Sequence, residues 1–215
     1  MIINPTFAKE LAISLLEINA VILRPHTPFR WTSGWNSPIY CDNRLTLRFP
    51  ELRAKIADEF TAFIRETYPD TDVIAGTSTA GIPHAAWIAD RMNKPMAYVR
   101  SKPKQHGTTN QIEGGIQKGE KAVIIEDLVS TGESAISVAK ALQFIGVEVL
   151  GIVSIFNYGF TQAASRFEEK ELKVNALTNY DTLLEAGVKF GFVAQKDLEL
   201  LTAWRQDPET WPKGL

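Results

Sequence analysis

Apolar side chains at Leu11, Leu15, Ile18 and Ile22 fall at helical spacing, which predicts an amphipathic helix from about Phe7 to Asn19 before a short strand at Val21–Leu23. This N-terminal unit is expected to be an appendage to a larger sheet. Residues 24–50 lose the period: Pro25, Pro28, Pro38 and Pro50 with Gly34 divide them into short strands and turns around Ile39-Tyr40-Cys41, a hairpin or small hood. Leu52, Ile56, Phe60 and Phe63 or Ile64 restore helical spacing after Pro50, and the helix they predict ends near Tyr68-Pro69. Beyond it the pattern alternates. Strands are expected at Val73–Gly76, Met96–Arg100, 122–126 and Val147–Phe156. One helix opens at Pro83 and runs to about Met92, and another presents Ala135, Val138, Ala139, Leu142 and Ile145 on one face and closes at Gly146. Val174–Leu177 and Val188–Val193 read as shorter strands around a helix near Thr182–Glu185, and Lys196–Trp204 as a terminal helix. Strand–helix alternation with β-branched runs argues for parallel βαβ units. The expected fold class is therefore α/β, a central mostly parallel sheet flanked by helices with a small N-terminal hood. A single domain is expected over 1–215, with helix and hood in 1–50 and the α/β core in 70–195.

Length and charge narrow the function classes. A chain of 215 residues, 45% apolar and 22% charged, can bury one core and sits at the upper end of single-domain size. A net charge of −2 and a pI near 6.0 supply no basic field for nucleic acid or an anionic membrane. The first 70 residues balance eight Lys/Arg against eight Asp/Glu, which leaves no basic extension for DNA. Cys41 is the only cysteine, which excludes an internal disulfide and a cysteine-based metal cluster and fits a reducing cytoplasm. The apolar run Leu150–Phe156 is far shorter than a membrane span, so a soluble cytoplasmic protein with neither membrane nor nucleic-acid partner is expected.

The chemistry concentrates in residues 122–134, Ala-Val-Ile-Ile-Glu-Asp-Leu-Val-Ser-Thr-Gly-Glu-Ser. A β-branched strand leads into two carboxylates, then into a hydroxyl-rich turn that opens a helix. Glu126 and Asp127 are expected to emerge, solvated, at the carboxyl end of the strand, where open α/β sheets bind ligands. Backbone N–H groups from about Ser130 to Ser134 then lie at a helix start, where unpaired donors and the helix dipole favour a phosphate. Ser130, Thr131 and Ser134 add hydroxyl donors, and Gly132 permits close approach of the backbone. Carboxylates for a diol and a phosphate nest a few residues apart fit a ribose 5-phosphate.

Two further elements extend that picture. The turn Gly76-Thr77-Ser78-Thr79-Ala80-Gly81 offers small residues and backbone donors after a strand, suiting a second phosphate group. Arg100, Lys102, Lys104 and His106 crowd four cationic or titratable groups into seven residues with no acid before Glu113. Together with the Gly-rich stretch to Gly115 they form about 20 residues without apolar periodicity, the length of a functional lid, and a mobile catalytic loop is expected over 100–116. Without apolar anchors, that lid is expected to order only over a pyrophosphate. His26 and His84 are assigned packing roles, and of the five tryptophans only Trp31 and Trp35 are held open as contacts for a base.

The 122–134 segment resembles the phosphoribosyl-pyrophosphate signature of type I phosphoribosyltransferases. Over nearly the whole chain the similarity is to the orotate phosphoribosyltransferases. Phe29-Arg30-Trp31-Thr32-Ser33-Gly34-Trp35-Asn36-Ser37-Pro38-Ile39-Tyr40 is similar to their Phe-Thr-Leu-x-Ser-Gly-x-x-Ser-Pro-x-Tyr segment, and Gly81-Ile82-Pro83 and an Arg-x-x-x-Lys-x-His-Gly run from Arg100 also match. The resemblance implies a glycosyltransferase that moves phosphoribose from phosphoribosyl pyrophosphate to orotate, giving orotidine 5′-monophosphate and pyrophosphate in pyrimidine biosynthesis. It further implies Mg²⁺, held mainly through substrate, and a homodimer with sites shared between subunits. By the same resemblance Lys104 and Asp127 are catalytic, and Arg100, Lys104 and His106 meet the pyrophosphate. Glu126 and Asp127 hold the ribose hydroxyls directly or through metal-bound water, and Leu128, Val129, Ser130, Thr131, Gly132, Glu133 and Ser134 surround the 5-phosphate, with Ser130 also touching orotate. Thr32, Ala80, Ser101 and Asn157 stand where the family often has three lysines and an arginine. Lys102 is the substitute on offer for the lid lysine, and Arg30 or Arg44 for the group that meets the orotate carboxylate. A purine phosphoribosyltransferase and a regulator that senses phosphoribosyl pyrophosphate remain as alternatives. The second needs a basic face or a winged-helix extension, which this chain lacks.

Overall fold

The structure, a computed structural model, describes residues 1–31, 34–100 and 111–211. Helix α1 (Pro5–Glu17) starts at Asn4, whose side chain accepts from the Thr6 and Phe7 amides. Strands β1 (Val21–Leu23), β2 (Phe29–Arg30), β3 (Asn36–Ser37) and β4 (Ile39–Cys41) follow, β1 pairing antiparallel with β4 and β2 with β3 to make the hood. A 3-10 turn at Asn43–Arg48 leads to α2 (Pro50–Thr67). The remainder alternates: β5 (Val73–Thr77), α3 (Gly81–Met92), β6 (Met96–Val99), β7 (Ile112–Glu113), β8 (Lys121–Val129), α4 (Glu133–Phe144), β9 (Glu148–Asn157), α5 (Thr161–Glu169), β10 (Val174–Asn179), α6 (Tyr180–Lys189) and α7 (Leu198–Gln206).

Six of these strands form one sheet in the order β10-β9-β8-β5-β6-β7, parallel throughout except for the β6–β7 edge. The expected α/β architecture is present. From β5 the chain steps outward to β6, and from β8 it steps the opposite way to β9. Right-handed crossovers in opposite directions carry α3 and α4 to opposite faces and leave a crevice between the carboxyl ends of β5 and β8. Val73, Ile74 and Ala75 of β5 and Ala122 to Ile125 of β8 are fully buried, as covering on both faces requires.

Four elements differ from the sequence reading, and a fifth, β7, puts Ile112 and Glu113 on the sheet edge within the 100–116 stretch expected as a loop. Helix α1 is not an appendage: Leu11, Ala12, Leu15 and Leu16 are buried in the main core, with α1 packed on β10 and α6. Strand β8 continues past both carboxylates, because β9 goes on pairing with it at Leu128↔Phe156 and Val129↔Asn157. Val188–Val193 is not a strand. Val188 lies in the last turn of α6, which ends at Lys189, Gly191 turns at φ +78°, and the Phe192 and Val193 amides both donate to the Gly187 carbonyl, so the apolar run is a helix cap. Helix α5, unforeseen, holds itself to the core by Ala163 and Phe167.

Candidate active site

The two acids of β8 are buried to different degrees but act on each other, their carboxyls interacting directly. Glu126 is buried at 4% exposure, while Asp127 is half-buried, and neither is the solvated strand-end carboxylate expected. One Glu126 oxygen accepts the Asp127 amide N–H at 3.1 Å, and the other, Oε2, is buried with no partner among the described residues. Burial, then the neighbouring Asp127 charge, push the Glu126 carboxyl well above the usual carboxylate range. Burial raises Asp127 as well. Gly76 of β5 sits level with Ile125, so the next residue, Thr77, comes beside Glu126, and its buried hydroxyl draws the Glu126 carboxyl slightly back down. A buried carboxylate oxygen at the switch point marks a place where a ligand completes the structure.

Turns on either side of these atoms are packed so closely that only glycine fits. A Cβ on Gly81 would stand 2.3 Å from the Ile125 carbonyl oxygen, which draws the Thr77–Gly81 turn onto β8. Gly132, at φ +79°, caps α4, and a Cβ there would meet Phe167 of α5 at 2.7 Å. Between Gly132 and the sheet, Leu128 to Ala135 enclose a hollow of about 270 Å³ below the first amides of α4, the expected phosphate nest. A second hollow, about 160 Å³, joins Thr77, Ser78, Arg100 and Gln111 to Ser134 and Ser137. Arg100 faces Glu113 at 3.8 Å, and its amide donates to the Gln111 carbonyl at 2.8 Å while Gln111 Nε2 donates back to the Arg100 carbonyl at 2.6 Å. Lys104 and His106, with Ser101 and Lys102, lie outside the described residues, as does Thr32.

A cavity of about 650 Å³ opens under the hood. Phe29, Trp31, Trp35 and Tyr40 from the hood face Leu128, Ser130, Thr131 and Tyr158 from the sheet side, a volume and a composition typical of a small-molecule pocket. Trp31 is fixed by its N–H to the Ile39 carbonyl, and its ring meets Tyr158 at 5.3 Å and Trp204 at 5.6 Å. Asn43, buried behind the hood, donates to the backbone carbonyl of Asp127 at 2.7 Å and ties the two walls together. Arg30 reaches this pocket; Arg44 does not line it and is held in a two-bond pair by Asp42. Asn157 accepts from the Gly159 amide and serves a turn. His84 packs edge-on against Trp87, and burial lowers its pKa to about 4. Tyr158, Gln162 and Arg166 are pocket residues that sequence reasoning missed. The spacing Phe160, Ala163, Phe167 was the available signal for α5. Among the described residues no three His, Cys, Asp or Glu side chains gather as a metal cage.

Residues 50–189 match the phosphoribosyl transferase domain family. The orotate phosphoribosyltransferase of Bacillus subtilis (strain 168) is 52% identical over 207 residues, covering 96% of this chain and 96% of that protein. That of Enterococcus faecalis (strain ATCC 47077 / OG1RF) is 50% identical over 206 residues, 96% of this chain and 98% of its own. The chain belongs to the orotate phosphoribosyltransferase family. The crystal structure of the family member from Aeropyrum pernix superposes with a TM-score of 0.74 at 28% identity, over 86% of this chain and 99% of that one. The aromatic cavity beneath the hood shares Leu128, Ser130, Thr131 and Glu133 with the hollow at the start of α4.

Proposed function

We propose that the switch-point crevice and the hood pocket divide between them the transfer of a 5-phosphoribosyl group from phosphoribosyl pyrophosphate to orotate. The chain is an orotate phosphoribosyltransferase, a glycosyltransferase of pyrimidine biosynthesis. One observation carries the division of labour: three hollows meet on a single segment. The nest of Leu128–Ala135 shares Ser130 and Thr131 with the aromatic pocket and Ser134 with the hollow beside Arg100. A sugar phosphate in the nest thus has a planar base on one side and a pyrophosphate on the other.

In this reading Ser130 to Ser134 hold the 5-phosphate, with Leu128 and Val129 beneath it and Glu133 at the helix start. Glu126 and Asp127 take the ribose hydroxyls, and Ser130 touches orotate. The Thr77–Gly81 turn and Arg100, with Lys104 and His106, take the pyrophosphate. The orotate ring nitrogen attacks C1 of the ribose while the C1–O bond breaks and its electron pair leaves with pyrophosphate. Lys104 stabilises that charge, and closure over the site excludes the water that would hydrolyse the donor. Members of the family generally use Mg²⁺. The donor set suits it, since Mg²⁺ keeps several waters and is held largely by substrate phosphates, and Glu126 and Asp127 would meet it through such waters. When bound, the ion neutralises the pyrophosphate.

We further place the protein in the cytoplasm as a homodimer. Among the described residues no helix is long and apolar enough to cross a membrane. If the Lys104 segment serves the neighbouring subunit's site, Lys104→Ala and Asp127→Asn proteins, each nearly inactive, regain activity when refolded together as mixed dimers. Mixed dimers confirmed by mass that stay inactive would refute the shared site. The reaction itself is tested by loss of orotate absorbance with phosphoribosyl pyrophosphate and Mg²⁺, beside adenine, hypoxanthine, xanthine and uracil. Orotate is expected to be consumed only when donor and metal are both present. Faster turnover of a purine would return the base assignment to the alternative.

A further inference from the structure

Orotate carries a carboxylate that uracil lacks, and an anion beside an aromatic wall needs a cation held in place. Among the described residues two cations line the hood pocket, Arg30 and Arg166. Arg30 stands exposed on the two-residue strand β2. Arg166 projects from α5, whose neighbouring Phe167 is buried in the core, so its backbone is fixed. Its Nη1 donates to the Thr131 carbonyl at 3.2 Å and to Glu133 Oε1 at 3.0 Å, and the side chain is 34% exposed. Both bonds use the same nitrogen. Nε and Nη2, the side-on pair that accepts a carboxylate through two parallel bonds, have no partner among the described residues. Glu133 is 74% exposed, so its pairing with Arg166 is solvent-screened and leaves the guanidinium free to serve a second anion. Thr131 adjoins Ser130, which places Arg166 where the aromatic pocket meets the phosphate turn.

We infer that Arg166 reads the carboxylate of orotate and sets the preference for orotate over pyrimidines without that group. This rests on the orotate reading of the hood pocket. The alternative role for Arg166 is to position the phosphate turn through Thr131, which would act on the donor and not on the base. Steady-state constants for orotate and for phosphoribosyl pyrophosphate, and the inhibition constant of uracil, separate the two in the wild type, Arg166→Gln and Arg166→Lys. In Arg166→Gln the KM for orotate should rise about 10- to 100-fold, the loss expected for bonds to a charged group. The donor KM and the uracil constant should stay within about threefold, and Arg166→Lys should recover part of the orotate effect because it keeps the charge without the fork. An unchanged orotate KM with a raised donor KM would overturn the inference and make Arg166 a positioning residue. Equal weakening of orotate and uracil would also overturn it, since the carboxylate would then not be what is read. If Arg166→Gln melts below the assay temperature, the lysine variant decides: an orotate KM equal to that of the wild type removes the need for the fork. A wild-type enzyme that consumes no orotate would instead overturn the reading of the pocket itself.

Discussion

Glu126 and Trp31 stand on opposite walls of one crevice and are held there by different means. Glu126 lies on β8, which is paired on both sides by β5 and β9, and the turns around it are pressed onto the sheet at Gly81 and Gly132. Trp31 follows β2, two residues long, whose only strand partner among the described residues is the equally short β3. Its backbone closes a small turn, donating to the Trp35 carbonyl and accepting from the Gly34 amide, and its ring is set by Tyr158, Trp204 and the bond to the Ile39 carbonyl. The donor wall is backbone bound into a sheet, and the base wall is an aromatic cluster assembled from the hood, the β9–α5 connection and α7. Isosteric changes at the acids of the first should therefore act on chemistry and leave folding nearly alone, while on the second stability and pocket shape change together.

The hardest break is expected on the base wall. Trp204 is fully buried, touches Trp31, Tyr158, Phe160 and Tyr180, and donates its N–H to the Asn36 carbonyl of β3. Trp204→Ala should cost about 3–5 kcal/mol, with melting lowered by on the order of 10 °C and the hood loosened. Melting within a degree or two of the wild type would show that the hood stands without the cluster.

On the donor wall, Asp127→Asn should reduce turnover by ~10²-fold or more while melting barely moves. The bond from Asn43 reaches the Asp127 backbone carbonyl and survives the change. Near-normal activity in a folded variant would remove Asp127 from the reaction. Gly132→Ala forces a side chain into a left-handed position against Phe167 and should cost roughly 1–2 kcal/mol, felt as a donor KM raised about tenfold. A larger rise in the orotate KM than in the donor KM would mean that this turn serves the base.

The smallest effect concerns Glu126 before any ligand binds. Its folded carboxyl is raised above the unfolded value of 4.5, so the folded chain keeps a proton that the unfolded chain releases. The stability linked to that proton is complete below the unfolded value and is lost as pH rises through the folded one. The melting temperature of the free protein should therefore fall over roughly pH 5 to 8, and Glu126→Gln should flatten that slope. Parallel curves for the two proteins would show that Glu126 is already ionised.

The same contrast explains what could be read without coordinates. The βαβ order, the acidic motif and the two phosphate turns follow from local chemistry: β-branched runs, hydroxyls at a helix start, glycine where backbone must approach. The extension of β8 was hidden because Glu126 and Asp127 look like a strand end, and only pairing with β9 carries the strand past them. Helix α5 was hidden by its nine residues and two buried anchors, and Arg166 was hidden with it. The bond from Trp204 to Asn36 joins positions 168 apart in sequence, a contact that no periodicity announces.

Arg100 and Gln111 have one more consequence. Two hydrogen bonds clasp these residues to each other beside the pairing of β6 with β7. For a segment closed between fixed ends, doubling its length adds only about 0.6 kcal/mol of loop entropy. Insertions or deletions between Arg100 and Gln111 should thus be nearly neutral for folding, so the proposed role in binding an anion, and not stability, would set the composition of that stretch.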